Sequence, residues 1–238
     1  MQQTDRPVGL LRLRRYTMRR PRQQTTDRAS ASRETILDGA FQTFAKNGYR
    51  DTAMDDIAAA AEISKGGIYF HFPTKESIFR ELMRTTAAKL IAKVESAVAV
   101  ERDPISKAEV ALRTVLEVFA GHRTMARLFF EAGGAGRGFQ TELNAMHDRF
   151  ARLIQSYLDA AVADGAIPPI DTRITSVAWF GALDEVVAQW LLASRPGPLE
   201  DAYPTLRAIL LRSVGVPEAR IAAGPAIEPL AAFPEASE

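Results

Sequence analysis

Residues 52–75 read TAMDDIAAAAEISKGGIYFHFPTK, a sequence that predicts two short helices joined by a tight turn and followed by an aromatic segment. Thr52 is a suitable N-cap for the first helix, because Asp55 three positions later completes a capping box near the positive end of the helix dipole. Ser64 can cap the second helix in the same way. Two short helices in this order are typical of a helix-turn-helix motif.

The second of these helices begins with Lys65, Gly66 and Gly67. Each glycine costs a helix about 1 kcal/mol relative to alanine, so the pair indicates a backbone that must approach something closely. No acidic residue occupies the first turn after Ser64, and the free N–H groups therefore present a positive potential. We predict that this helix start is a site for a phosphate.

A helix-turn-helix places its second helix in the DNA major groove, with the N-terminal residues at the base edges. The motif ISKGGIYFHFPTKESIF at residues 63–79 resembles the tetracycline-repressor-like (TetR) family of bacterial regulators, as does RETILDGAFQTFAKNGYRDTAMDDIA at residues 33–58. The resemblance implies an all-α protein of about nine helices. It would have an N-terminal three-helix helix-turn-helix DNA-binding domain and a C-terminal helical domain for ligand binding and dimerisation. The alternative is a generic helical bundle in which these aromatic residues are core.

The same resemblance assigns DNA contacts to three side chains. Tyr69 would stack on and hydrogen-bond the DNA backbone, Lys75 would reach a phosphate from the start of the next helix, and Thr52 would touch a phosphate. His71 is open between a backbone contact and a helix cap. The residues predicted to bind DNA are Thr52, Ser64, Lys65, Gly66, Gly67, Tyr69, His71 and Lys75.

Recognition of the DNA base sequence by this helix would rest on few side chains. Lys65 is the best candidate for a base-edge contact, to guanine, because Gly67 has no side chain to offer. Phe70 and Phe72 are expected to lie in the core. Backbone contacts and DNA shape would therefore supply a good share of the affinity.

The composition excludes several classes of protein. The chain has 238 residues, 47% of them hydrophobic, which suits one large or two small domains. It lacks cysteine, and its three histidines have no metal-ligand spacing, so we expect neither a metal nor a cofactor. We find no membrane-length apolar run and no signal-peptide pattern, and we expect a cytoplasmic protein without membrane contact. The sequence has no Gly-x-Ser-x-Gly or nucleotide loop, so catalysis is not expected.

A basic segment precedes the first helix. Residues 1–28 contain eight arginines and two aspartates, a formal charge of 8 − 2 = +6 in a chain whose net charge is +1. Such a basic arm commonly binds nucleic acid, where it follows the phosphates or enters the minor groove of DNA. Alternatively, the segment is a solvated tail, or translation of the protein starts at Met18.

Helical periodicity and breaker residues give the domain boundaries. We predict a disordered basic arm at 1–29, the helix-turn-helix domain at 30–73, the ligand-binding and dimerisation domain at 74–215, and a disordered tail at 216–238. Helix one is expected at about 30–46, and later helices at about 74–100, 106–120, 122–131, 139–165, 171–194 and 199–214. Four glycines at 133–138 predict a flexible loop or, alternatively, a gate at the pocket mouth.

Helix eight is apolar around much of its circumference, which indicates burial on more than one side. We therefore predict a homodimer in which helices eight and nine of two protomers form a four-helix bundle. The predicted interface residues are Ile174, Val177, Val186, Val187, Trp190, Leu206, Ile209 and Leu210.

Residues 128–192 resemble the members of the family that control fatty-acid metabolism, most clearly at FGALDEV, 180–186. The resemblance implies an acyl-CoA effector in a tunnel among helices four to eight. The candidate pocket residues are Leu90, Phe119, Met125, Phe129, Phe130, Met146, Phe150 and Trp179. The cations available to the CoA phosphates are Arg123, Arg127, Arg137, Arg149 and Arg152. Alternatively, these aromatic residues are plain core and these arginines plain surface.

Together these features predict a ligand-responsive transcriptional regulator. We expect a repressor that binds double-stranded DNA at a palindromic operator as a dimer and is released by a small apolar effector. A ligand that prefers one form of the dimer changes DNA affinity by its differential affinity for the two forms. A ligand that instead raises the DNA affinity, a corepressor, would use the same architecture. The alternative is a ligand-independent architectural DNA-binding protein, which the basic arm would favour.

Overall fold

The computed structural model describes residues 21–132 and 137–224, and over these residues the chain contains helices and no strand. The predicted all-α fold is confirmed, with one α-helix more than expected. In chain order the helices are α1 (Pro21–Asp51), α2 (Met54–Ala60), α3 (Lys65–His71), α4 (Lys75–Val98), α5 (Pro104–Gly121), α6 (Arg123–Ala132), α7 (Arg137–Ala163), α8 (Thr172–Leu192), a 3-10 helix (Leu199–Ala202), α9 (Tyr203–Ser213) and α10 (Glu218–Ala222).

Helices α1 to α3 and the first half of α4 surround one apolar core, and we call this unit the head. Apolar residues at helical spacing place Ile36 and Phe44 on the buried face of α1. The rings of Phe44 and Phe79 meet edge to face with centroids 5.2 Å apart, and Tyr49 packs against both. Near its end α1 bends at Gly48, whose φ of +76° is a left-handed conformation that favours glycine.

The start of α2 differs from the prediction. Thr52 is buried, and its hydroxyl donates to the carbonyl of Gly48 at 2.7 Å, so Thr52 is not the N-cap. Ala53 occupies the cap position, and the Asp56 carboxylate accepts a hydrogen bond from its N–H at 2.8 Å. Ser64 caps α3 as predicted, since its hydroxyl oxygen accepts from the N–H three residues later at 3.2 Å.

Helix α4 belongs to both halves of the molecule. Its first part contributes Phe79 and Leu82 to the core of the head. Its second part contributes Leu90 and Val94 to a second core, which helices α5 and α7 to α10 complete. We call this second unit the body. A continuous helix of 24 residues therefore joins the head to the body.

The structure corrects both predicted termini. Helix α1 begins at Pro21, within the segment predicted as a disordered arm, while residues 1–20 lie outside the described part. The predicted tail begins too early, because Val216 and Ile221 are buried. The guanidinium of Arg207 donates to Glu109 at 2.6 Å and to the carbonyl of Ile221 at 2.8 Å, which anchors α10. Residues 225–238 lie outside the described part.

Candidate DNA-binding surface and ligand cavity

Helix α3 presents a mixed polar and aromatic face. Ser64, Lys65 and Gly66 at its start are exposed, and so is Tyr69. The Lys65 ammonium lies 2.9 Å from the Asp55 carboxylate, and this hydrogen bond raises the pKa of the lysine. Lys65 therefore stays charged, and an exposed ion pair of this kind opens at little cost. These four residues form the accessible part of the predicted DNA-binding set.

Phe70 was expected in the core, and this prediction is wrong. Its side chain is 82% exposed, whereas Ile68 and Phe72 are buried. Successive residues of a helix are turned by about 100°, so the residue midway between two buried ones lies on the opposite face. An isolated exposed phenylalanine is ordinary, but one beside Tyr69 on the outer face of α3 adds a large ring to the candidate DNA surface. His71 is half-buried and meets the Phe70 ring edge to face at 5.2 Å.

The Lys75 ammonium, which is predicted to reach a DNA phosphate, makes hydrogen bonds within the protein. Its ammonium donates to the backbone carbonyls of Tyr49, Arg50 and Thr52 at 2.7, 3.0 and 2.7 Å. It also lies 4.7 Å from the centre of the Tyr49 ring. These bonds occupy the three ammonium protons and hold the chain from the end of α1 to Thr52. The phosphate contact of Lys75 stays a prediction. The Thr52 hydroxyl likewise points into the protein, at Gly48.

The two glycines of α3 differ in the space around them. A Cβ on Gly67 would lie 2.7 Å from Cγ2 of Ile63, so the close approach is to the turn of the motif itself. A Cβ on Gly66 would have no described heavy atom within 4 Å. The described structure therefore gives no steric reason for a glycine at position 66.

The body contains an apolar cavity of about 100 Å³ among α4 to α8, which we call the first chamber. Of the predicted pocket residues, five line it: Leu90, Phe119, Phe130, Met146 and Phe150. Met125 does not line the first chamber and packs between the cores of head and body. The Phe129 side chain lies outside the described residues. Sequence reasoning missed His147 and Asp184, the two polar side chains of the described lining.

A second chamber of about 50 Å³ adjoins the first, and Trp179, one of the candidate pocket residues, lines it. Val115, Phe150, Phe180 and Leu183 line both chambers. The rings of Phe150 and Phe180 are nearly parallel, at 16°, with centroids 6.0 Å apart. These shared side chains form the boundary between the two chambers, so a rotation of either ring would change their connection.

The polar groups at the chambers are only partly satisfied. Burial raises the pKa of the Asp184 carboxyl, and His147 nearby opposes that shift. In the second chamber the indole N–H of Trp179 donates to the Ser213 hydroxyl at 3.0 Å. The Tyr157 hydroxyl is buried and has no hydrogen-bond partner among the described residues.

The arginines near the body differ in availability. Arg123 donates to the carbonyl of Leu191 at 3.2 Å and lies over the Trp190 ring, so it secures the end of α8. Arg127, Arg149 and Arg152 are exposed, and the side chain of Arg137 lies outside the described residues. Arg127 also lines a polar cleft of about 390 Å³ between α6 and the end of α1.

The predicted dimer residues separate into two groups. Ile174, Val177 and Ile209 are each more than half exposed, and Leu192 at the end of α8 is exposed as well. Val187, Leu206 and Leu210 are buried in the protomer's own core, which leaves their side chains little surface for a partner. Val186 and Trp190 are half-buried. Helix α8 is apolar all round because one side packs on α5 to α7, while the other faces outward.

Two absences hold for the part of the chain that the structure describes. None of its helices is long and apolar enough to cross a membrane. No group of three or more potential metal ligands occurs within it.

Family models match both halves of the chain. The family described as bacterial regulatory proteins, tetR family, matches residues 36–82. The family described as Tetracyclin repressor-like, C-terminal domain, matches residues 101–197. The HTH-type transcriptional repressor KstR2 of Rhodococcus jostii (strain RHA1) is 34% identical over 149 residues, which are 61% of this chain and 72% of that relative.

Solved structures share the fold. The transcriptional regulator FadR from Bacillus subtilis, in complex with stearoyl-CoA, superposes with a TM-score of 0.70 and 22% identity over 77% of this chain and 98% of that one. AibR, in complex with isovaleryl coenzyme A and operator DNA, superposes with a TM-score of 0.60 and 18% identity over 75% of this chain and 97% of that one.

Proposed function

Because this chain belongs to the tetR family of bacterial regulatory proteins, we propose that it is a dimeric repressor that leaves a palindromic operator when an acyl-CoA enters its chambers. It is a transcriptional regulator and not an enzyme, because the proteins to which it is similar are transcriptional regulators. It would act in the cytoplasm, where DNA and acyl-CoA are both present.

The observation that carries this proposal is that the first chamber and the head share the side chain of Met146 and the helix α4. Met146 lines the first chamber and also packs against the core of the head. Leu90 lines the same chamber from α4, two helical turns beyond Leu82 of the head core. A ligand that moves either side chain therefore shifts the head relative to the body.

The chambers are small enough for a ligand to force such a movement. Their volumes of about 100 and 50 Å³ fall below the roughly 300–1,000 Å³ of a usual small-molecule pocket. A long chain can enter only if the chambers open, so it prefers a form of the protein that differs from the described one. A ligand shifts an equilibrium through this kind of differential affinity, and the empty form is the one that would bind DNA.

The lining favours a hydrocarbon chain. Ten of the twelve side chains around the first chamber are apolar, and transfer of a chain from water to such a lining is favourable. FadR binds stearoyl-CoA and AibR binds isovaleryl coenzyme A, which suggests an acyl-CoA for this chain as well. The exposed Arg127, Arg149 and Arg152 are the cations available to its phosphates.

Dimerisation would follow from the exposed apolar side chains of α8 and α9. Ile174, Val177, Leu192 and Ile209 lie on the outward side of these helices, where a second protomer could cover them. A two-fold axis through this face would set two α3 helices in successive major grooves of a palindrome.

The proposal is tested with labelled DNA from upstream of the chain's own gene, titrated with protein in the presence of stearoyl-CoA, isovaleryl-CoA or free CoA. We expect sequence-specific binding that one of the acyl-CoAs weakens at least tenfold and free CoA does not. Leu183→Phe is the control, because Leu183 lines both chambers and a larger side chain there blocks them. This variant should bind DNA normally and ignore the ligand.

Two outcomes would change the account. Specific binding that no acyl-CoA alters would remove the effector from the proposal and favour the ligand-independent alternative. Tighter DNA binding in the presence of the acyl-CoA would make the protein a repressor that requires its ligand.

A further inference from the structure

The polar cleft between the end of α1 and α6 is larger than either chamber. Its volume of about 390 Å³ lies within the roughly 300–1,000 Å³ of a usual small-molecule pocket. We call it the junction cleft, because one wall is residues 44–48 of α1 and the other is Arg123, Thr124, Arg127 and Leu128 of α6. It shares no described lining residue with the first or the second chamber. The proposed effector cavity therefore does not account for it.

The charged side chains that line this cleft are all positive. Lys46 comes from α1, Arg123 and Arg127 come from α6, and none of the described lining residues is acidic. The uncharged polar side chains of the lining are those of Asn47 and Thr124. A concave surface lined by charges of one sign focuses the field and concentrates ions of the opposite sign. The junction cleft is therefore suited to an anion.

These cations lack the carboxylate partner that other described arginines have. Arg33 of α1, for example, pairs with Glu81 of α4 at 3.3 Å. Arg123 instead donates to backbone carbonyls at the end of α8, which are neutral and leave its charge uncompensated. Lys46 and Arg127 are exposed, and neither forms an ion pair with a described residue. An anion in the cleft would supply the opposite charge.

One cation is fixed in position and two are adjustable. Nη2 of Arg123 lies 3.2–3.4 Å from three backbone carbonyls, and its guanidinium carbon lies 5.1 Å from the centre of the Trp190 ring. These contacts use only part of the five N–H donors of a guanidinium. The exposed side chains of Lys46 and Arg127 can change rotamer towards a ligand. The cleft thus combines a rigid positive charge with a flexible one on each wall.

The number of cations and donors favours phosphate groups over a carboxylate. Arginine and lysine are the usual partners of phosphate, which arginine binds through two parallel hydrogen bonds. One phosphate group carries about two negative charges at neutral pH and has three strong acceptor oxygens. Three cations on two walls, with the Asn47 amide and the Thr124 hydroxyl as further donors, exceed what a single phosphate or carboxylate can satisfy. A diphosphate matches this set better.

We propose that the junction cleft binds a small molecule through its diphosphate group, with Lys46 on one side and Arg123 and Arg127 on the other. This inference goes beyond the proposed function, because neither chamber takes part in it. A nucleotide and the CoA end of an acyl-CoA both carry a diphosphate. The same chemistry therefore has two sources, which the test separates.

The test measures binding of inorganic pyrophosphate to the full-length protein by calorimetry, at low ionic strength because salt screens exposed charges. We expect one site per protomer. Lys46→Ala and Arg127→Ala should each weaken this binding about tenfold, as the loss of one charge-assisted hydrogen bond allows. Both side chains are exposed, so thermal unfolding without ligand should be nearly unchanged.

Arg102→Ala is the matched control. Arg102 is also an exposed arginine, but it lines neither the junction cleft nor a chamber. This variant loses the same formal charge as Arg127→Ala, so it reports the effect of net charge alone. It should bind pyrophosphate within about twofold of the natural protein, because exposed charges that are far apart are largely screened.

ADP and stearoyl-CoA identify the source of the diphosphate, and either result supports the site. If a nucleotide is the ligand, Lys46→Ala and Arg127→Ala weaken ADP binding and leave stearoyl-CoA binding unchanged. If the effector supplies the diphosphate, the same two variants weaken stearoyl-CoA binding, and pyrophosphate competes with it. Pyrophosphate binding without any acyl-CoA binding would keep this inference and remove the acyl-CoA from the proposed function.

Three results would overturn the inference. Absence of pyrophosphate binding to the natural protein would show that the cleft is a solvated surface. Equal losses in Arg102→Ala and Arg127→Ala would show that net charge, and not the cleft, attracts the anion. A loss in only one of Lys46→Ala and Arg127→Ala would show that the anion does not lie between the two walls.

Discussion

In the head, the rings of Phe44, Tyr49 and Phe79 contact one another at centroid distances of 4.8–5.6 Å. In the body, by contrast, the rings of Phe150 and Phe180 lie beside two open chambers. The same residue type thus fills one core and borders empty space in the other. Close packing favours a single arrangement of the head, whereas unfilled space leaves the body able to change shape around a ligand.

Phe44→Ala and Phe180→Ala should separate the two kinds of packing most clearly. Phe44 is fully buried, and its loss should cost about 3–5 kcal/mol of unfolding free energy. Phe180 is half-buried beside existing space, so its loss should cost no more than about 2 kcal/mol. Urea unfolding of both variants measures the difference. Equal losses would show that the chambers are not a looser region of the molecule.

Lys75→Met tests whether the head depends on its internal cation. This change leaves the carbonyls of Tyr49, Arg50 and Thr52 without their donor, and we expect a loss of about 2 kcal/mol of unfolding free energy. DNA affinity should then fall through lost stability, equally for all sequences. A variant with natural stability and weakened DNA binding would instead support a direct phosphate contact for Lys75.

Lys65→Ala probes the outer surface of the same head. Lys65 is exposed, and among the described residues its ion pair is with Asp55, so thermal unfolding should be nearly unchanged. Discrimination between the operator and a duplex with substituted base pairs should fall about tenfold if Lys65 contacts a base edge. Fluorescence anisotropy with both duplexes gives the ratio. An equal loss of affinity for the two duplexes would reduce Lys65 to a backbone contact.

Asp184→Asn should produce the smallest effect, and its sign depends on pH. Burial raises the pKa of Asp184 above the ordinary 3.8, so the folded protein holds this proton more tightly than the unfolded chain does. That contribution is complete below pH 3.8 and is lost as pH rises through the folded-state pKa. The asparagine side chain carries no charge to desolvate, so we expect the substitution to stabilise the protein by up to about 1 kcal/mol at pH 7, with the gain fading on acidification. Destabilisation at pH 7 would mean that the attraction between His147 and Asp184 outweighs the cost of burying the Asp184 charge.

The head was more predictable from sequence than the body, because its signals are local. Ser64 lies next to the helix that it caps, and helical spacing identified Ile36 and Phe44. Contacts that span the motif were not foreseen. Lys75 reaches back to carbonyls 23 to 26 residues away, and this partner could not be read from its own neighbourhood. Phe70 was misplaced because its apolar character was given more weight than its angular position between Ile68 and Phe72.

In the body, apolar residues such as Phe150 and Trp179 were found at the chambers because large side chains at helical spacing face the core. Polar members such as His147, Tyr157 and Asp184 were missed, since only the packing of distant helices brings them to the cavity. The fold of residues 216–224 was missed for the same reason. It depends on Arg220, which binds Asp103 across 117 positions of sequence.

The coupling between chambers and head is tested most directly from the ligand side. Linkage requires that operator DNA weaken acyl-CoA binding by the same factor by which the acyl-CoA weakens DNA binding. The measurement is the Kd of stearoyl-CoA, or of isovaleryl-CoA if that is the active ligand, with and without a saturating operator duplex. We predict a Kd at least tenfold higher in the presence of the operator, matching the factor found for DNA. An unchanged Kd would contradict the account, because the chambers and the DNA surface would then be independent.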